Sequence, residues 1–204
     1  MELRDALTQI TEIRLQLART EVFRGYRAMP VAFSGGVAIL AALIQAATIV
    51  EPAVQIGPYL LLWIGAAVVS GLAAGLEMMI RARNASTPVT RELTWLAVEQ
   101  FCPCLMAGAL VTIVLLRAAP ESLWMLPGLW QIFFGLGIFA SCRLLPKPTF
   151  WVAVFYLATG LTVLAMAHDE AALSPWTMGL PFGVGQFLAA GVLYRALERD
   201  HESV

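Results

Sequence analysis

Charge is scarce in this chain of 204 residues: 13% are Asp, Glu, Lys or Arg while 59% are hydrophobic, more apolar surface than one water-soluble core could hide. Histidine is scarcer, with only His168 and His201. Paired catalytic carboxylates, a glycine-rich phosphate loop and an intramembrane-protease pattern are all missing, so the inventory points away from catalysis and calls for no cofactor. Long hydrophilic connectors are missing too, which leaves no room for a soluble domain after the first apolar stretch. The net charge of -1 gives nucleic-acid binding no support, because the cations present are explained by topology.

What remains is hydrocarbon. About 20 apolar residues are needed to cross roughly 30 Å of bilayer core, and six windows qualify, approximately 30–50, 58–80, 93–116, 123–142, 149–167 and 175–194. The expected fold is an all-α, polytopic integral membrane protein. A compact bundle of six transmembrane helices (29–195) is preceded by an amphipathic cytoplasmic helix (1–28) and followed by a cytoplasmic tail (196–204). Orientation follows from the cations. Arg4, Arg14, Arg19, Arg24 and Arg27 precede the first window, Arg81, Arg83 and Arg91 follow the second, Arg143 and Lys147 follow the fourth, and Arg195 and Arg199 follow the sixth. The alternate connectors hold only Arg117. This asymmetry predicts both termini on the cytoplasmic face of an inner, bacterial-type membrane. Trp63, Trp124 and Trp176 are spaced as anchors at the outer interface, and short connectors predict that successive spans are antiparallel neighbours.

Before the first window, Leu3, Leu7, Ile10, Ile13 and Leu17 follow the 3-and-4 spacing of one helix face. The opposite face mixes acids with arginines, whereas a helix built for anionic lipid is more uniformly basic. Residues 2–27 are therefore expected to pack against protein, whether the bundle, a second copy or another membrane or cytoplasmic partner; the plainer reading is a helix that lies on the membrane surface and orients the first span. Inside the bundle, small residues such as Gly35-Gly36, Ala67-xxx-Gly71-xxx-Gly75, Gly135-x-Gly137 and Gly179-xxx-Gly183 allow close backbone approach and predict tight intramolecular packing. Pro58, Pro127 and Pro181 are expected near the outer starts of their helices, with a weak hint of repeated hairpins.

The third window carries the densest chemistry. Glu99, Cys102 and Met106 fall at i, i+3 and i+7, which puts oxygen, thiol and thioether on one helix face. Pro103 has no amide hydrogen, so the carbonyl of Glu99 loses its helical partner. Thiols and a thioether favour soft metal ions, and the tripeptide Cys102-Pro103-Cys104 is similar to the membrane motif of heavy-metal-pumping P-type ATPases. That resemblance covers three residues, implies a soft-metal site, and comes without the nucleotide-binding and phosphorylation domains of that family. The plainer reading is cysteine as a small hydrophobe and proline as a packing kink. Glu99 is expected about six residues inside its span, roughly 9 Å from the inner end. Gln100, Gln131 and Gln186, with Gln45, could converge with it on a polar seam or serve as interhelical glue. Cys142 stands apart from the other cysteines, and His168-Asp169-Glu170 reads as a solvated acidic turn.

Two functions are compatible with this pattern. One is a non-enzymatic membrane module that assembles with itself or a partner, as a subunit, scaffold or sensor. The other is a small transporter or channel, proton-coupled or for a soft metal, with its site around Glu99 and Cys102-Pro103-Cys104.

Overall fold

A computed structural model describes residues 28–84 and 88–198. The amphipathic stripe expected over 2–27 and the C-terminal tail from 199 onward lie outside them. The helices are α1 (Ala28–Thr48), α2 (Ile56–Asn84), α3 (Pro88–Ala118), α4 (Leu126–Ser141), α5 (Thr149–Met166) and α6 (Pro175–Leu193), and with the short helical segments that flank α4 and α6 they make six spans long and apolar enough to cross a membrane, the fourth being Pro120–Ser141 and the sixth Asp169–Ala196. The chain is therefore a multi-pass membrane protein, and among the described residues it contains no strand. A 3-10 segment, Pro120–Met125, joins α3 to α4, a single helical turn, Asp169–Ala172, lies between α5 and α6, and a π-turn, Tyr194–Glu198, follows α6. The end of the bundle where α1 begins and α6 finishes is called basal below, and the opposite end distal.

The helix starts follow local chemistry. Pro120, Pro127 and Pro175 occupy the first or second position of their helices, where a missing N–H costs no hydrogen bond. Pro181 does not begin α6 as expected; it lies inside the helix, and the proposed hairpin repeat loses one of its three marks. Helices α2 and α3 also run longer than the apolar windows, at 29 and 31 residues, about 43 to 46 Å. The charged stretch from Arg81, expected to be a connector, is helical to Asn84, and helix resumes at Pro88.

Packing departs from simple sequence-neighbour order. The most extensive contact is between α1 and α6, distant in the chain, followed by α4 with α5 and α3 with α4. Helices α2 and α3 touch each other little. Small residues account for the close pairs. A Cβ on Gly183 would run into the Ile39 side chain, and one on Gly128 would lie 2.8 Å from the carbonyl oxygen of Gly160, so backbone approaches backbone where lipid offers no hydrophobic drive. The distal core gathers Ala41, Ala42, Tyr59, Leu60, Trp63, Leu126 and Leu173 from four parts of the chain. A second core places Ile138 and Tyr156 among phenylalanines; Phe134 meets Phe101, Tyr156 and Phe182 edge-on at 5.2, 4.9 and 5.4 Å, an arrangement favoured by the ring quadrupoles.

The expectation of tight packing fails in one place. The distal part of α2 is in the core through Tyr59, Leu60 and Trp63, but from Ala67 onward Leu72, Leu76, Met79 and Ile80 are exposed. A Cβ on Gly71 or Gly75 would meet nothing within 4 Å. The small-residue spacing in α2 matches that of α6, yet no helix of the described chain lies against it.

Candidate functional site

The face carrying Glu99, Cys102 and Met106 exists as read: all three are exposed on α3. They lie opposite the face that packs. Phe101 meets Phe134, Gly108 is 3.7 Å from Trp130 for an added Cβ, and Thr112 is buried; these positions recur at 101, 108 and 112, about half a turn around the helix from Glu99. By length and composition the apolar window of α3 begins at Val98, with Glu99 as its second residue. Cys102, Cys104 and Cys142 are free thiols, with Cys104 and Cys142 half-buried. Among the described residues no three His, Cys, Asp or Glu side chains are grouped to hold a metal ion.

The glutamines go elsewhere, and proline explains one of them. Because Pro181 has no N–H, the carbonyl of Thr177, four residues earlier, lacks its donor within α6. Gln131 of α4 supplies it: its Nε2 donates to the Thr177 oxygen at 2.8 Å. Gln45 of α1 does the same for the segment leading into α6, its Nε2 donating to the Leu173 oxygen at 2.7 Å while its Oε1 accepts from Trp63 Nε1 at 2.7 Å. Both glutamines are fully buried. In hydrocarbon a bare carbonyl has no water to turn to, so these amides act as replacement backbone donors. Trp63, expected as an interfacial anchor, is instead a buried participant in this network; Trp124 is half-buried and Trp176 exposed. Gln186 lies half-buried on the α1–α6 contact, where its Cβ is 3.2 Å from the position of a Cβ on Gly35. Gln100 is half-buried with its Oε1 lacking a partner. Their hydrogen bonds thus tie Gln45 and Gln131 to the head of α6 and not to Glu99.

Other polar atoms define what else the bundle could hold. Tyr59 is fully buried with an unpartnered hydroxyl, and Gln131 Oε1 has no donor. At the basal turn between α4 and α5, Ser141 and Thr149 also bury unpartnered hydroxyls. The first backbone N–H groups of α5 are already taken, by the carbonyls of Pro146, Lys147 and Pro148, so that helix head does not offer the free donors an anion would need. An open groove of about 360 Å³ lies between α1 and α2 at the distal end, walled by Ile44, Ile49, Pro58, Leu61 and Leu62 with Thr48 and Gln55. It contains none of the candidate site residues read from the sequence. Sequence reading missed the pairing of Gln131 with Thr177; the usable signal was a proline inside one apolar window together with a glutamine inside another.

At the distal surface the His168 ring stacks on Trp124, centroids 4.8 Å apart and planes at 36°, so the acidic turn is fastened to the 3-10 segment. The residue after it, Asp169, has φ of 51°, the left-handed region that Asp tolerates better than most side chains. No protein-family model, curated protein or solved structure matches this chain.

Proposed function

We propose that the chain is a non-enzymatic module of a bacterial inner membrane, with both termini cytoplasmic, that assembles with itself or with a partner protein. The observation that carries this reading is the contrast within α2: one face is in the core at its distal end and exposed at its basal end, where Gly71 and Gly75 have no neighbour among the described residues. Smooth faces of this kind let a second helix approach closely in lipid. The amphipathic segment 2–27, on the same side of the membrane, adds a cytoplasmic contact to this assembly. The accounting of polar groups supports the same reading, since Gln45 and Gln131 are bonded to the backbone and Glu99 and Cys102 are on the outward face of α3. A path for a hydrophilic solute normally gathers such groups inside.

The test is energy transfer between donor- and acceptor-labelled full-length protein in lipid vesicles, with unlabelled competitor. Self-association that is lost in Gly71→Leu/Gly75→Leu is the expected result. A monomer at every protein-to-lipid ratio, combined with labelling of Cys102 and Cys104 by a membrane-impermeant maleimide, replaces the assembly reading with the transport one.

A further inference from the structure

We infer, resting on the assembly proposed above, that the partner is a second copy of this chain, seated so that Arg83 of each copy pairs with Glu99 of the other. Two exposed stripes carry the pairing. On α2, Leu72, Leu76, Met79 and Arg83 follow one another at three or four residues and all are exposed; on α3, Glu99, Cys102, Met106 and Leu110 do the same. Each stripe rises about 17 Å, and each ends on the basal side in one charge, the two being of opposite sign. In two copies of the same membrane orientation, α2 of one runs antiparallel to α3 of the other, and the stripes then match end to end. Arg83 meets Glu99, Met79 meets Cys102, Leu76 meets Met106 and Leu72 meets Leu110. Gly71 and Gly75 flank the α2 stripe with nothing within 4 Å of an added Cβ, which leaves room for Met106 and Leu110 to approach the backbone closely.

Within one chain these charges are not used. Among the described residues neither Arg83 nor Glu99 has an ion-pair or hydrogen-bond partner, and α2 and α3 touch each other little. Glu99 brings a second unmet acceptor, because Pro103 withholds the N–H that would bond its carbonyl. In α6 the same defect is served by a glutamine of a neighbouring helix; on α3 it lies on the face turned away from α4. A guanidinium fork has five donors, enough for the carboxylate and the carbonyl together. By length and composition the apolar window of α2 ends at Ile80 and that of α3 begins at Val98; with those edges level, Arg83 and Glu99 stand about 6 Å apart along the helix axes. The long stem of an arginine spans that gap. A two-fold axis along the membrane normal forms both pairs at once, since the contact of α2 with the second copy's α3 is repeated in return. Such pairs fix register and exclude wrong partners more than they add affinity.

The experiment uses full-length protein labelled at its C-terminus with donor or acceptor in phosphatidylcholine vesicles, and compares wild type, Arg83→Glu, Glu99→Arg and a mixture of the two variants. Both positions are exposed, so neither substitution disturbs a packed core. Each variant alone sets like charges against each other at both contacts of the two-fold pair, and its apparent association constant should fall about tenfold. In the mixture, donor-labelled Arg83→Glu and acceptor-labelled Glu99→Arg present opposite charges at both contacts, and energy transfer should return to the wild-type level. A pair made within one chain cannot produce that rescue. Transfer in the mixture no higher than in the separate variants, or wild-type association in both separate variants, would overturn the pairing and leave self-assembly standing. No transfer in wild type at any protein-to-lipid ratio would overturn both.

Discussion

The glycines of α6 and those of α2 have the same spacing pattern and opposite surroundings. In α6 a Cβ on Gly185 would come within 2.5 Å of the Tyr156 ring, and one on Gly183 would strike Ile39; in α2 a Cβ on Gly65, Gly71 or Gly75 meets nothing within 4 Å. A motif of small residues therefore states only that a helix can be approached closely. Which polypeptide approaches is decided elsewhere: in α6 it is α1 and α5 of the same chain, and in the basal half of α2 we propose a second molecule. The same division runs between the two ends of the bundle, one with a buried hydrogen-bond network and the other with an open helix face.

The sharpest way to break this comparison is to add side chains to both sets. Gly185→Ala should destabilise the protein in detergent by about 1–3 kcal/mol, because the rigid Tyr156 ring cannot withdraw without repacking its phenylalanine neighbours. Gly71→Leu should leave the thermal midpoint of the isolated chain within about 0.5 kcal/mol of wild type. Equal losses at the two sites would mean that α2 is packed after all.

Next in size is the distal network. Gln45→Leu leaves both Trp63 Nε1 and the Leu173 carbonyl without partners, and a thermal melt should show a loss of about 1–3 kcal/mol. A smaller and more specific effect separates the role of Gln131. Restoring the helical donor with Pro181→Ala should make its amide redundant. In a double-mutant cycle, Gln131→Leu should then cost about 0.5–1.5 kcal/mol less in the Pro181→Ala background than in wild type. Additive effects would show that Gln131 serves something other than the proline-freed carbonyl. The smallest expected change is at Tyr59, whose buried hydroxyl bonds to nothing: Tyr59→Phe should shift stability by less than about 0.5 kcal/mol. A larger loss in that melt would reveal a partner for the hydroxyl, such as a bound water.

Much of this architecture was legible from residue order. Six windows gave six apolar helical spans, because a bilayer demands an uninterrupted apolar run and punishes charge within it. The candidate site was legible only in part. The spacing of Glu99, Cys102 and Met106 correctly put them on one face, since helical periodicity is local; that the face points away from the bundle depends on which side of α3 meets Phe134 and Trp130. Trp63 looked like an interfacial anchor and is buried, because its indole N–H is claimed by a glutamine of the neighbouring helix. The purpose of Gln131 depends on a proline some 50 positions later in the chain, a pairing that periodicity cannot express.

By itself the order of amino acids determined the solvent, the number of crossings and where each helix can start, all of which follow from hydrophobicity and backbone chemistry acting over about 20 residues. Only the tertiary structure decided that α1 lies along α6, that two glutamines replace donors missing at the head of α6, and that half of α2 is left bare. Those outcomes depend on which faces meet across long stretches of chain, and in hydrocarbon, where every helix is equally greasy, that choice is made by shape and by the few polar atoms that must find partners.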